Sequence, residues 1–155
     1  MSHFLVMVLV PGNTTNIEEA VSTLMAPYDE NLEVEPYEGE DGTTTRNPRG
    51  KWDWWRIGGR WDGAVRNNPR SSENGFNFSS AHEELKNNVL PVKDLDHKLT
   101  AFAVVTPDGQ WHEKGRMGWF GLAANEKDGD TWDEEVIRLM RSHQDCMIVG
   151  LDCHI

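Results

Sequence analysis

Seven consecutive apolar residues, Phe4–Val10 (FLVMVLV), constrain this chain more than any other feature of it. Successive side chains on a strand point to opposite faces, so a strand apolar at every position must be covered on both sides. The run is of strand length, is closed by Pro11-Gly12, and reads as a central strand. It is far shorter than the ~20 residues of a membrane span, and no other run is longer. No basic residue precedes it and no small-residue cleavage site follows, so it is not read as a signal peptide. A chain of 155 residues suits one domain, 1–155, with a modest core.

The remaining elements follow from capping and periodicity. Asn16 is placed to cap a helix, with Glu19 three residues on and Ile17, Ala20, Val21, Leu24 and Met25 on one face; Pro27 stops it. Leu32–Tyr37 alternates and predicts a half-exposed strand, and 38–50 predicts a loop. Residues 67–80 show no period, and Ser79 or Ser80 could cap a short helix to Asn88. Lys98–Thr106 predicts a second buried strand, Pro107-Asp108-Gly109 a turn, and Gln110–Lys114 the return strand. Asp130 or Thr131 is expected to cap a last helix with Trp132, Val136, Leu139, Met140 and His143 on one face, and Met147–Ile155 to close as a strand. The order β-α-β, an insert at 40–98, then β-α-β predicts an α+β, ferredoxin-like domain, an antiparallel sheet backed by two helices. In such a sheet the first and last strands are antiparallel neighbours, which brings His3 near Asp152 and His154.

The net charge is −11, unevenly spread: −9 over residues 1–45, +5 over 46–70 and −7 over 71–155. Such acidity argues against duplex nucleic acid and anionic membranes as partners. Two cysteines, Cys146 and Cys153, make no disulfide framework, which suits a cytoplasmic protein. Four of the seven Trp lie in the basic island, in Lys51-Trp-Asp-Trp-Trp-Arg-Ile-Gly-Gly-Arg-Trp61. If this segment is extended, Trp52 and Trp54 face one way and Asp53 and Trp55 the other, while Gly58-Gly59 allows a tight turn or close backbone approach. Indole rings offer stacking surfaces worth ~1–3 kcal/mol per base, and guanidinium groups grip phosphate. The competing reading is that these Trp fill the core. Trp52, Trp54, Arg56, Arg60 and Trp61, with His112, Lys114 and Trp119 from the second Trp/Gly-rich segment (115–121), form the candidate ligand-binding set. That second segment could equally be tight backbone packing.

His82, His97 and His143 read as structural. His3 and His154, brought together by the fold, could act as general base and general acid, each contributing ~10²–10⁴ in rate, with Lys51 holding a phosphate. The chemistry is ribonuclease-like: a ribose 2′-OH attacks its own phosphodiester, without a cofactor. That chemistry needs no metal; the competing functional reading is a divalent metal site formed by His3, Asp152 and His154. Two ordinary histidines are the bland alternative. No phosphate-loop, dinucleotide-binding, H-E-x-x-H or nucleophile-elbow string occurs. Cys153 beside His154 is discounted as a nucleophile because adjacent strand residues face apart.

With MSHFLVMVLV, LMAPYDENLEVEPY, KWDWWRIGGRW, AFAVVTPDGQWHEKGRMGWFGLAANEKD, TWD and DCHI, the chain resembles a family of small, mostly uncharacterised phage and prophage proteins. The stretch from about 64 to 98 is shorter than the family's. The resemblance implies a phage or prophage origin, hence the host cytoplasm, and the family has no settled activity. The expectation is a phage-encoded nucleotide-binding protein that cleaves a small, cyclic nucleotide signal of host antiviral defence. One alternative is a sponge that sequesters the nucleotide without chemistry. Another is an acidic inhibitor of a host enzyme acting through residues 28–42, rich in carboxylates and without bases. A homo-oligomer stays open.

Overall fold

The computed structural model describes residues 2–69, 81–117 and 123–155, with the side chains of 81–83, 123 and 124 left aside. The expected irregular stretch at 70–80, its Ser79/Ser80 cap, the His82 side chain and Trp119 lie outside the described residues. The elements in chain order are β1 (His3–Pro11), α1 (Ile17–Met25), β2 (Tyr37–Gly39), β3 (Gly42–Thr44), β4 (Trp54–Ile57), α2 (Ala81–Asn88), β5 (Val89–Pro91), β6 (Ala103–Val105), β7 (Trp111–Glu113), β8 (Arg116–Met117), β9 (Ala123–Ala124), α3 (Gly129–Arg141) and β10 (Cys146–His154). Short 3₁₀ turns occupy Ala26–Tyr28, Gly59–Trp61, Ala64–Arg66 and Val92–Asp94.

The chain is α+β with one principal mixed sheet, ordered β4-β10-β1-β6-β7, in which β5 also pairs with β10. β1 and β10 are antiparallel over their whole length, from His3 opposite His154 to Pro11 opposite Cys146. On its other side β1 runs parallel to β6, and β6 turns back into β7. This order does not reproduce the ferredoxin-like one. There the return strand of the hairpin would separate the two parallel strands; here β6 lies directly against β1 and β7 takes the edge. The reason is in the residues. Ala103, Val104 and Val105 are wholly buried, whereas His112 and Glu113 in β7 are polar and tolerate an edge.

The helices also depart from expectation, since they cover opposite faces. Phe4, Val6, Val8 and Val10 pack with Val21 and Met25 of α1. Leu5, Met7 and Leu9 pack with Trp132 and Met140 of α3. β10 divides in the same way, with Val149, Leu151 and Cys153 on the α1 side and Ile148 on the α3 side. Two central strands apolar on both faces leave no face free for water, so one layer of helices cannot suffice.

Local signals were met in part. The Asn16 side chain accepts from the Glu19 N–H at 3.1 Å, capping α1. At the other end the Trp52 indole N–H donates to the Met25 carbonyl at 3.0 Å, satisfying a group the helix leaves open. α3 begins two to three residues earlier than expected, with Asp128 at the cap position in place of Asp130 or Thr131 and no side-chain capping bond. The expected strand at 32–37 is irregular up to Tyr37; the ladder is instead the small hairpin β2–β3, within the stretch expected to be loop. Pro36 has no N–H to donate, and Leu32 is exposed, so alternation alone did not secure a partner.

Trp132, 2% exposed, locks α3 onto the sheet: its indole N–H donates to the Ala101 carbonyl at 2.8 Å. Trp132→Phe keeps most of the bulk but orphans that carbonyl. Urea denaturation is expected to show a loss of about 1–3 kcal/mol with little change in slope.

Candidate functional site

The β1–β10 register sets His3 directly opposite His154, and β4 sets Trp54 opposite His154 on the other side. Directly paired residues share a face, so His3, His154 and Trp54 make one row across the sheet. Leu5, Asp152 and Arg56 make the next row along. The two imidazole rings lie edge to face with centroids 5.0 Å apart, and the Trp54 ring is 6.3 Å from His3. Trp54 is 46% exposed. With Asn31 and Asp53, these side chains line a shallow hollow of about 490 Å³.

Each histidine is held by its own carboxylate. His3 Nδ1 is 2.8 Å from Asp152 Oδ1, and His154 Nδ1 is 2.6 Å from Asp53 Oδ1. An ionised carboxylate only accepts, so both Nδ1 atoms carry the proton and each Nε2 is left with its lone pair. His154 Nε2 is buried with no hydrogen-bond partner among the described residues. Asp152 is 2% exposed, and its second oxygen accepts from the Arg60 backbone N–H at 3.1 Å.

That clasp explains Gly58-Gly59. Both glycines have positive φ, +79° and +54°. A Cβ on Gly59 would stand 2.4 Å from Asp152 Oδ2, and one on Gly58 2.6 Å from the Asn88 amide nitrogen. Asn88 is fully buried. Its amide donates to Asp62 Oδ1 at 2.7 Å and to the Glu84 carbonyl at 2.8 Å, and it accepts from the Gly63 N–H at 3.0 Å. The sequence of supports therefore runs from Asn88, through the 58–63 turn, to Asp152 and His3.

The rest of the expected set is dispersed. Lys51 forms an ion pair with Glu113 at 2.9 Å and lines a different groove; it is not beside the histidines. Trp52 does not share the Trp54 side. It meets Trp55 at a centroid distance of 6.5 Å, and both pack on the α1 side of the core. The regular strand begins only at Trp54, since residues 51–53 are strapped to 28–30 by the Lys51 N–H to Tyr28 O and Glu30 N–H to Trp52 O bonds, each 2.8 Å. Alternation counted from Trp52 therefore fails, and Asp53 comes round to His154. Arg56 is ion-paired with Glu84. Arg60 contributes its backbone N–H, and its side chain is exposed. Trp61 packs against the α3-side core. His112 and Lys114 line a separate hollow of about 410 Å³ with Arg116, Lys127 and Glu135. The basic island is thus partly neutralised from elsewhere in the chain and divided between the sheet's two sides.

His3, Asp152 and His154 do not surround one point, because His154 turns its Nδ1 to Asp53. Among the described residues no group of three His, Cys, Asp or Glu side chains is arranged to hold a metal. Burial, and secondarily the Asp152 charge, push the Cys153 thiol well above its ordinary range, so it is not an available thiolate. His97 and His143 bond backbone carbonyls, of Ala64 at 2.9 Å and Leu139 at 2.7 Å, as structural histidines do. Sequence reasoning missed Asp53 and Asn31. Asp53 was visible within the Trp motif but assigned to the wrong side; nothing in the sequence marked Asn31.

Long-range ¹H–¹⁵N NMR of the neutral rings is expected to show the Nδ1–H tautomer for both His3 and His154. Asp53→Ala should release His154 alone; an Nε2–H tautomer in the wild type would contradict the assignment. Compared with protein-family models, curated proteins and solved structures, the chain matches none.

Proposed function

We propose that the protein binds a small nucleotide against Trp54 and cleaves its phosphodiester between His3 and His154. The observation that carries this reading is the pair of imidazoles 5.0 Å apart, each oriented by a carboxylate, beside an exposed indole. His3 is the more accessible ring, at 20% side-chain exposure against 14%. Its Nε2, with no partner among the described residues, is suited to take the proton of a ribose 2′-OH. The oxygen then attacks phosphorus, the P–O5′ bond breaks, and a protonated His154 gives its proton to the leaving 5′-oxygen. The products are a 2′,3′-cyclic phosphate and a free 5′-hydroxyl. Among the described residues no Lys or Arg lines the hollow, so the imidazolium and the Asn31 amide are left to stabilise charge on the phosphoryl oxygens. The resemblance to phage proteins supplies the setting: a cyclic signalling nucleotide of host antiviral defence as substrate, met in the host cytoplasm.

The binding-only reading draws on a different observation. His154 Nε2 is closed off from solvent, and proton transfer requires the ring to turn toward the ligand; a sponge would not require it.

Incubation with cyclic di- and trinucleotides and ADP-ribose derivatives, with and without EDTA, tests both. Turnover insensitive to EDTA is expected. His3→Ala or His154→Ala should lower it ~10²–10⁴-fold while leaving binding in place, and Trp54→Ala should weaken binding by about 1–3 kcal/mol. Binding without turnover in the wild type would leave the sponge. Ligands neither bound nor cleaved would end both readings.

A further inference from the structure

The sheet end that carries the two histidines has an opposite side. α1 and β1 are each nine residues long. At ~1.5 Å per residue a helix of that length covers about 13 Å, whereas the strand runs about 30 Å. Past the end of α1 no helix among the described residues covers this face of the sheet, and a groove of about 640 Å³ lies there. That size is ordinary for a small-molecule site. Its floor includes Phe4 and Phe102, edge to face at 5.6 Å, together with Ile155.

The two walls differ in charge. One is the segment 30–33, joined to Thr45-Arg46 through the Val34 N–H to Thr45 O bond of 3.0 Å; it presents Glu30, Glu33 and Arg46. The other presents Arg116 and Met117; Lys51, whose backbone N–H is bonded to Tyr28 beside the first segment, reaches Glu113 at 2.9 Å, and the charges of that pair cancel. Glu30, Glu33, Arg46 and Arg116 are exposed and have no ion-pair partner among the described residues. The first wall is thus net negative, the second net positive, and the groove as a whole neutral. A polyanion would meet as many acids as bases here. An apolar body with an ammonium at one end and a carboxylate at the other would meet its complement at both.

We propose that this groove is a second binding site, independent of the histidine pair, for a short apolar peptide with free ends. Its ammonium group faces Glu30 and Glu33, its carboxylate faces Arg116, and its side chains rest on Phe4, Phe102 and Ile155.

The test is an NMR titration of the whole protein with the dipeptide Leu-Phe, its N-acetyl form, its C-terminal amide and AMP. Leu-Phe is expected to move the backbone signals of Thr45, Lys51 and Met117 and the Trp111 indole signal, and to leave those of α3 in place. Blocking either end should weaken binding about tenfold. Arg116→Glu should erase the advantage of the free acid over the amide, and Glu33→Gln should reduce the advantage of the free amine over the N-acetyl form. Both side chains are exposed, and the comparison of the four ligands on wild-type protein stands without the variants. The proposal is overturned if Leu-Phe moves none of these signals at millimolar concentration, if the blocked forms bind equally well, or if AMP moves the same signals more strongly.

Discussion

The antiparallel pairing of β1 with β10 is the interaction on which everything else in this molecule rests. Nine residue pairs in unbroken register place the two most apolar segments side by side at the centre of the sheet. Their side chains alternate between two cores, one completed by α1 and the other by α3. β6 takes the free side of β1, while β4 and β5 share the free side of β10. A slip of one residue would exchange the two cores and move His3 to the face now held by Phe4.

The basic, Trp-rich island is organised by what it packs against rather than by its composition. Trp52 closes the end of α1, Trp55 fills the α1-side core, Trp61 leans on the other core, and only Trp54 is offered to solvent. Its cations are disposed in the same way. Lys51 and Arg56 find carboxylates on β7 and α2, and Arg49 lies over the Tyr28 ring at 4.9 Å. A run of like charge in sequence becomes a patch only if the backbone keeps the side chains on one surface. Here the pleat and the Gly58-Gly59 turn separate them.

Much of this was readable from residues alone. The apolar run 4–10, the capped helix at 17–25, the turn at 107–109 and the meeting of His3 with His154 all rest on local chemistry or on one strand pairing, and they hold. The split of the helices between two faces follows from a strand apolar at every position, against the two-layer fold expected, whereas the sheet order rests on the contrast between buried β6 and polar β7. Asp53 and Lys51 could not be placed from spacing, because the straps between 28–30 and 51–53 break the strand period just before Trp54. Asn88 and Asp62 gave no signal at all. Their importance lies in the hydrogen bonds by which Asn88 holds Asp62 and Gly63 of a turn some 25 residues away, a tertiary fact with no periodic trace.

The two histidines are separated by 151 positions along the chain and by 5.0 Å between rings. Closing a loop of that length carries a length-dependent entropy cost of about 4 kcal/mol, and contacts of such range delay the folding transition. The histidine pair at the sheet end therefore cannot precede the fold: until the last strand has docked there is neither a pair of rings nor a central sheet to hold them. Recovery of the site during refolding is consequently a measure of how fast the longest loop closes, and a core substitution far from either imidazole can set that rate.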